Sequence, residues 1–487
     1  MRTTLRTTLL PSQMGNRKGR KGIRSFPQCT ILAILAIALP LTGLLPPSFA
    51  WAKLGETSRI ELPNGLTLVL KEYHQIPIAY FSLIVPGGGA QERTEKAGLA
   101  GLAANLLVKG TAHRDAQSIS EQIDFLGGSL SAGVTYDYSS LSLEVLSKDI
   151  DKGLELFFDC LLHPTFPQEE LERMRSQALA ALSQSNEEPG VLIGKRFRAL
   201  LYKDHPYGHP LGGTRQSLTS INREDVTGFY RSFWIPNQAI LVALGDFREA
   251  EMVEKLSRYL SNWPGGKASI ASIPAPQPLR GRKVVLIDKP DLTQANILLG
   301  NVGVPRDTPR LFPLSLANGV LGRMGFSSRL MDEIRSNLGL AYDVDSHFSM
   351  GKVAGPFAID TSTQNENVGK AIAAILEQLK IFREKGLSPE ELAKVKTYKK
   401  GIYFIALQES SALVAQMGDI EFYHLPRDLI DTYQERIDRV TLEQANATAY
   451  DLFPYQDLLI VILGKAQEIE SQLAGLGDLV IEPFRPE

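Results

Sequence analysis

The chain contains one helix-to-strand unit twice. "SINREDVTGFYRSFWIPNQAILVALGD" (Ser220–Asp246) and "RVTLEQANATAYDLFPYQDLLIVILGK" (Arg439–Lys465) align without a gap, placing Ile221 on Val440, Asn222 on Thr441, Val242 on Val461 and Gly245 on Gly464. Each runs from a capping residue through an acidic helix start and an aromatic-bearing helix to an apolar strand that ends in Leu-Gly. A looser match joins "GLTLVLKEYHQIPIAYFSLIVPGG" (Gly65–Gly88) to "RKVVLIDKPDLTQANILLGNVGVP" (Arg282–Pro305), both reading as two strands separated by a polar break. Halves that open on strands, continue in long helices and close on a strand do not alternate regularly. They call for an α+β architecture, with helices layered on an antiparallel or mixed sheet. The stretch "WPGGKASIASIPAPQPLRGR" (Trp263–Arg282) has the Gly, Pro, Ser and Ala content of a linker. The reading is therefore an N-terminal domain over 53–264, a linker over 265–282 and a C-terminal domain over 283–480.

A chain of 487 residues is long enough for two such cores, and its net charge of -2 gives no basic face for a nucleic acid. The N-terminus carries an address. Basic residues in "NRKGRKGIR" (Asn16–Arg24) precede the apolar run "ILAILAIALPLTGLL" (Ile31–Leu45), and Ala50-Trp51-Ala52 supplies a small-x-small cleavage site. This is the secretory pattern, so residues 1–52 are expected to be a signal peptide and the folded part to lie in a periplasmic or lumenal space, membrane-anchored if the segment stays uncleaved. No Cys directly follows the apolar run to accept a lipid. Cys29 falls in the signal segment, leaving Cys160, inside the apolar "LELFFDCLLHP", as a buried structural thiol.

Helix signals position the rest. Ser118 or Ser120 opens a helix ended by Gly127-Gly128, and a long helix starts in "FPQEELERMR" and closes before Pro189. "SSRLMDEIRSNLGLAYDVDSHFS" (Ser327–Ser349) reads as a helix ending near Gly339 and passing into a strand, and Ser388 with Glu391 forms a capping box.

In this order "NGLTLVLKE", "GLAGLAANLLVKGT", "FPQEELERMR", "HPYGHPLGGT" and "FSSRLMDEIRSNLGLAYDV" make the chain resemble the M16 zinc peptidases (pitrilysin, insulinase, mitochondrial processing peptidase) over roughly residues 55 to 470. The resemblance implies two homologous α+β domains forming half a clamshell, closed around a peptide by a second half. It also implies a zinc site, H-x-x-E-H, on the helix matching Gly98–Thr111, where this chain has Gly101, Ala104 and Asn105. The family's later Glu falls in "QALAAL", at Ala180 and Ala181. Glu187 and Glu188 stand about 10 Å further along the axis, beyond a metal bond of roughly 2 Å. All four positions are degenerate, and no zinc is expected in this chain.

The family's Arg and Tyr, which reach substrate at the zinc of the partner half, match Arg335 and Tyr342 in "IRSNLGLAYDV". The Gly-rich loop before them survives in part, as Gly322 and Gly325. Loss of the ligands with retention of Arg and Tyr implies the non-metal subunit of a heterodimeric peptidase. Its partner would be an H-x-x-E-H homologue holding the zinc, and its substrate an extended or unfolded peptide. The rival reading is a non-proteolytic peptide-binding or assembly protein of the same fold. His205 and His209 in "HPYGHP" are i, i+4 but interrupted by Pro and Gly, so they read as a turn. His74, His113, His163, His347 and His424 read as scattered, giving no replacement metal site. Tyr136 and Tyr138 are expected on one face of a continuous strand with Asp137 on the other. "EELER" and "KVKTYKK" read as solvated helix faces.

Overall fold

The computed structural model describes residues 55, 57–261, 263–266 and 270–485. The expected signal peptide (1–52) lies outside them, and residues 53–487 form one compact unit. Among the described residues no helix is long and apolar enough to cross a membrane.

The first half contributes strands β1 (Ser58–Glu61), β2 (Thr67–Glu72), β3 (Ile78–Val85), β4 (Ser129–Val134), β5 (Ser139–Leu146) and β6 (Ile240–Gly245). Its helices are α1 (Leu99–Leu106), α2 (Ala116–Phe125), α3 (Ile150–Leu162), α4 (Gln168–Ser185), α5 (Pro189–Tyr202), α6 (Arg215–Ser220), α7 (Arg223–Phe233) and α8 (Glu249–Leu260). The second half contributes β7 (Arg282–Asp288), β8 (Gln294–Val302), β9 (Val344–Phe348), β10 (Pro356–Gln364), β11 (Leu458–Gly464) and β12 (Asp478–Pro483). Its helices are α9 (Leu311–Asn318), α10 (Val368–Lys385), α11 (Pro389–Ala406), α12 (Ser410–Phe422), α13 (Leu429–Arg439) and α14 (Leu442–Leu452).

The two sheets are ordered β1-β2-β6-β3-β5-β4 and β12-β7-β11-β8-β10-β9. Five strands of each sheet correspond, and the sixth comes from opposite ends of the chain. β1 pairs antiparallel with β2, whereas β12 pairs parallel with β7. The gapless sequence match is exact in register. Val242 lies between Val69 on a parallel neighbour and Ser82 on an antiparallel one, and Val461 between Val285 and Leu298 in the same way. Asn222 and Thr441 are both N-caps, each in a reciprocal capping box. β12 runs past residue 480 to Pro483, and β7 begins at Arg282, inside the expected linker.

Each sheet is covered on one face by helices of its own half and on the other by a helix of the opposite half. Leu68, Leu83 and Leu241 face the first half's own helices. On the reverse face, Val69, Ile84 and Val242 pack against Leu413, Val414 and Met417 of α12. In exchange, Ile193, Phe197 and Leu201 of α5 pack against Val285, Leu459 and Val461. Burial on both faces is why β6 and β11 are uninterrupted apolar runs, buried at every residue. Each such side chain contributes roughly 1.5–3 kcal/mol on full burial.

The stretch read as one continuous strand through Tyr136–Tyr138 is instead a hairpin. Thr135 Oγ1 accepts from the amides of Asp137 (3.2 Å) and Tyr138 (3.0 Å), turning the chain between β4 and β5. Tyr136 and Tyr138 consequently diverge. Tyr136 stacks near Tyr207 at 5.0 Å and Tyr138 meets Phe422 of the other half at 5.0 Å. Buried Asp137 joins the halves, accepting from the hydroxyl of Tyr207, that of Tyr423 (2.9 Å) and the amide of Lys352 (2.9 Å). The cap of α2 is Asp115, whose carboxylate accepts from Ser118 N, and not Ser118 or Ser120.

Candidate functional site

Helix α1 begins at Gly98, which has no side chain to cap it and sits at φ +92°. Glu92 supplies the cap from six residues upstream, its carboxylate accepting from the amides of Gly98 (3.1 Å) and Ala100 (2.5 Å). A carboxylate there offsets the positive helix end. His209 stands behind it, with Nε2 3.5 Å from Glu92 Oε2 and 2.8 Å from the carbonyl of Gly89. Burial pushes the Glu92 carboxyl up, opposed by His209 and the two amides. For His209 burial works against the charged form, but Glu92 and the Gly89 carbonyl outweigh it and hold the imidazole above its ordinary value. His205 Nε2 lies 2.8 Å from the carbonyl of Pro274. The two histidines of "HPYGHP" thus fasten a helix start and the inter-half connection.

Along α1, Ala104 is fully buried, and Asn105 donates its side-chain amide to the carbonyl of Gly101 at 2.8 Å, within its own helix. A Cβ on Gly101 would meet only Val134 at 3.5 Å and the Leu211 carbonyl at 3.9 Å, so the position is vacant for want of a side chain and not for want of room. On α4, Ala180 and Ala181 are exposed while Leu182 turns inward. Zinc takes imidazole nitrogen, thiolate sulfur or carboxylate oxygen. None of these atoms stands at the four positions, and the donor set does not fit the ion. Leu211 lines a cavity of about 700 Å³ walled by both halves, with Lys195, Arg196 and Arg198 on one side and Leu463 and Phe484 on the other.

The structure brings Arg335 and Tyr342 together and adds a third residue. The segment Met331–Asn337 is wound as a π-helix, with Leu338 N donating to Glu333 O at 3.0 Å. This wide turn, a feature frequent at functional sites, carries the Arg335 guanidinium to 4.3 Å from the Tyr342 ring centre and 4.4 Å from that of Phe326. Phe326 is 68% exposed and Tyr342 79%. Two exposed rings thus flank the guanidinium. Among the described residues no carboxylate pairs with it and no hydrogen bond engages it. The loop bearing Phe326 is fixed by Gly322, where a Cβ would lie 2.4 Å from Ser346 Oγ, and by Gly325 at φ +56°. Phe326 carried one faint sequence signal, its place directly after Gly325.

"KVKTYKK" is solvated only in part, with Lys394, Thr397 and Tyr398 exposed. Lys396 donates to the carbonyls of Asp438 (2.9 Å) and Val440 (2.7 Å), and Lys400 to Asp438 Oδ1 (2.8 Å). Burial, together with Arg323, pulls the Lys399 ammonium below its ordinary value. The charged residues of "EELER" (Glu169–Arg173) are a solvated face as read, with Glu169, Glu172 and Arg173 exposed, and Arg175 just beyond it bonds both Glu172 (2.6 Å) and the carbonyl of Ile221. The histidines are not scattered without acids. His74 meets Asp246 at 2.6 Å, His347 meets Asp360 at 3.3 Å, and His113 and His163 converge on Asp159. Cys160 is buried, which pushes its thiol up to about 12.

Comparison with known proteins gives the family and the fold. Residues 67–215 match the insulinase (peptidase family M16) domain and residues 220–398 the peptidase M16 inactive domain. The chain is 27% identical over 395 residues to an uncharacterized zinc protease of Mycobacterium leprae, covering 81% of this chain and 88% of the relative. It is 24% identical over 405 residues to the uncharacterized zinc protease YmxG of Bacillus subtilis, covering 83% and 97%. Its fold superposes on a crystal structure of a peptidase M16 inactive domain from Pseudomonas fluorescens with a TM-score of 0.80 and 26% identity, over 84% of this chain and 98% of that one. Matched across both halves in sequence and in fold, this chain belongs to the M16 (insulinase) peptidase family, inactive-domain type.

Proposed function

We propose that this chain is an exported, non-metal subunit of a split M16 peptidase. It pairs with an H-x-x-E-H homologue that carries the zinc, and presents Arg335 and Tyr342 to the peptide bound there. The observation that carries the reading is an asymmetry. The four ligand positions of the first half hold no metal-binding atom, while the second half displays an unpaired guanidinium and a phenol, fixed and facing solvent. In-plane N–H donors and a phenolic hydroxyl suit an extended peptide's carbonyl and the charge that grows on its oxygen under attack. The relatives described as zinc proteases and the Pseudomonas inactive domain support the same assignment. On this reading the chain hydrolyses nothing alone, because its four emptied ligand positions hold no ion to activate water.

The test is a pull-down of the tagged chain from its native host, with mass spectrometry and a peptide-cleavage assay with and without chelator. An H-x-x-E-H homologue with chelator-sensitive cleavage, lost on Arg335→Ala or Tyr342→Phe, is the expected result. A lone or self-paired chain without cleavage would establish the binding or assembly protein instead.

A further inference from the structure

We propose that His113, Asp159 and His163 form a binding site for a divalent transition-metal ion, separate from the emptied positions on α1. Helix α3 ends in "DCLLH", which sets Asp159 and His163 one turn apart on one face. His113 arrives from the turn that follows α1. Backbone bonds hold that turn in place, since Thr111 pairs with Pro164 and Ala112 N donates to His163 O at 2.9 Å. The fold therefore brings the three side chains together, and His113 and Asp159 also hydrogen-bond to each other at 2.6 Å.

The carboxylate is oriented as a ligand. Asp159 is 6% exposed, and its Oδ2 accepts from Thr111 Oγ1 (2.7 Å) and Arg114 Nη1 (2.7 Å). Oδ1 is left facing His113 Nδ1 at 2.6 Å and His163 Nδ1 at 3.3 Å. One ligand atom from each residue lies within 4.8 Å of the others. An ion with bonds of about 2.0–2.2 Å spaces tetrahedral ligand atoms roughly 3.3–3.6 Å apart, so it would take the place of the 2.6 Å hydrogen bond between His113 and Asp159, with His113 drawing back to seat it. The imidazole side chains are 60% and 49% exposed, leaving open positions for water. Two imidazoles and one carboxylate oxygen suit zinc, cobalt, nickel or copper, and not the all-oxygen preference of magnesium or calcium. Arg114 acts behind the ligand, orienting the carboxylate while being tied also to Glu155.

A second acid–histidine cluster, Asp345, His347 and Asp360, has only one imidazole. It makes an internal control. The proposed ion would staple the turn after α1 to the end of α3, and this inference does not rest on the split-peptidase reading.

The test uses the purified chain, stripped with chelator and dialysed, then titrated with Co²⁺ by visible absorption and with Zn²⁺ by calorimetry. We expect one equivalent bound, weakened about a hundredfold or more in H113A/H163A and unchanged in H347A. Both substituted imidazoles are largely exposed, and circular dichroism with the milder H163Q variant checks that folding is intact. No binding by the parent chain, or binding that H113A/H163A leaves unaltered, overturns the proposal.

Discussion

Arg335 depends on its flanking rings for orientation as much as on its own charge. A lysine keeps the charge and loses the planar stack and the fork of donors. Arg335→Lys in the assembled peptidase is therefore expected to behave like Arg335→Ala, each lowering kcat/KM by roughly a hundredfold as loss of an oxyanion donor does, measured by initial rates on a quenched peptide. Lysine restoring the parent rate would show that charge alone suffices. His209 makes a second prediction. Its folded pKa is raised above 6.5, so its contribution to stability is complete below that value and is lost as pH rises through the folded pKa. As pH rises above 6.5 the melting temperature should fall more steeply in the parent chain than in His209→Gln, which keeps a donor for Gly89 but carries no charge. Arg335 and Tyr342 came from the family resemblance, whose motif carries both within one short stretch. Phe326 was not legible in the sequence, since its contact is created by the π-helical turn, and His113 and His163, fifty residues apart in sequence, meet only through the pairing of Thr111 with Pro164.

Helix starts were read well where the chemistry is self-contained, as in the reciprocal box Ser388/Glu391. The β4–β5 hairpin was missed for a physical reason. Thr, Tyr and Tyr are strand formers, and the turn is decided by one Thr135 hydroxyl and by the partners that receive Asp137. Because Asp137 serves donors from both halves, Asp137→Ala strands buried hydroxyls and should cost about 3 kcal/mol in denaturant unfolding. A loss within error would mean that water replaces the carboxylate. Gly101→Ala should act oppositely. Its Cβ meets no close atom and the residue sits mid-helix, so a gain of about 0.5–1 kcal/mol is expected from the same measurement. A loss would mean that α1 is held open for another reason.

The duplication was legible at the scale of the molecule, down to register, because both copies obey the same capping and strand rules. The exchange of α5 and α12 was not, since nothing local says which sheet a helix will cover. That exchange predicts one cooperative calorimetric transition for residues 53–487, with van't Hoff and calorimetric enthalpies in agreement. Leu413→Ala, though in the second half, should cost about 2–5 kcal/mol and shift the whole transition without splitting it. Two separable transitions would show that the halves are independent. The same crossing sets a timetable for biosynthesis. When the ribosome has released β6, the first sheet has all its strands, yet Val69, Ile84 and Val242 have no cover until Ser410–Phe422 emerges. The nascent first half must therefore spend the time needed to make more than 160 further residues with an apolar face bare. Through that interval it depends on chaperones or on staying unfolded, a state that the proposed export would also require.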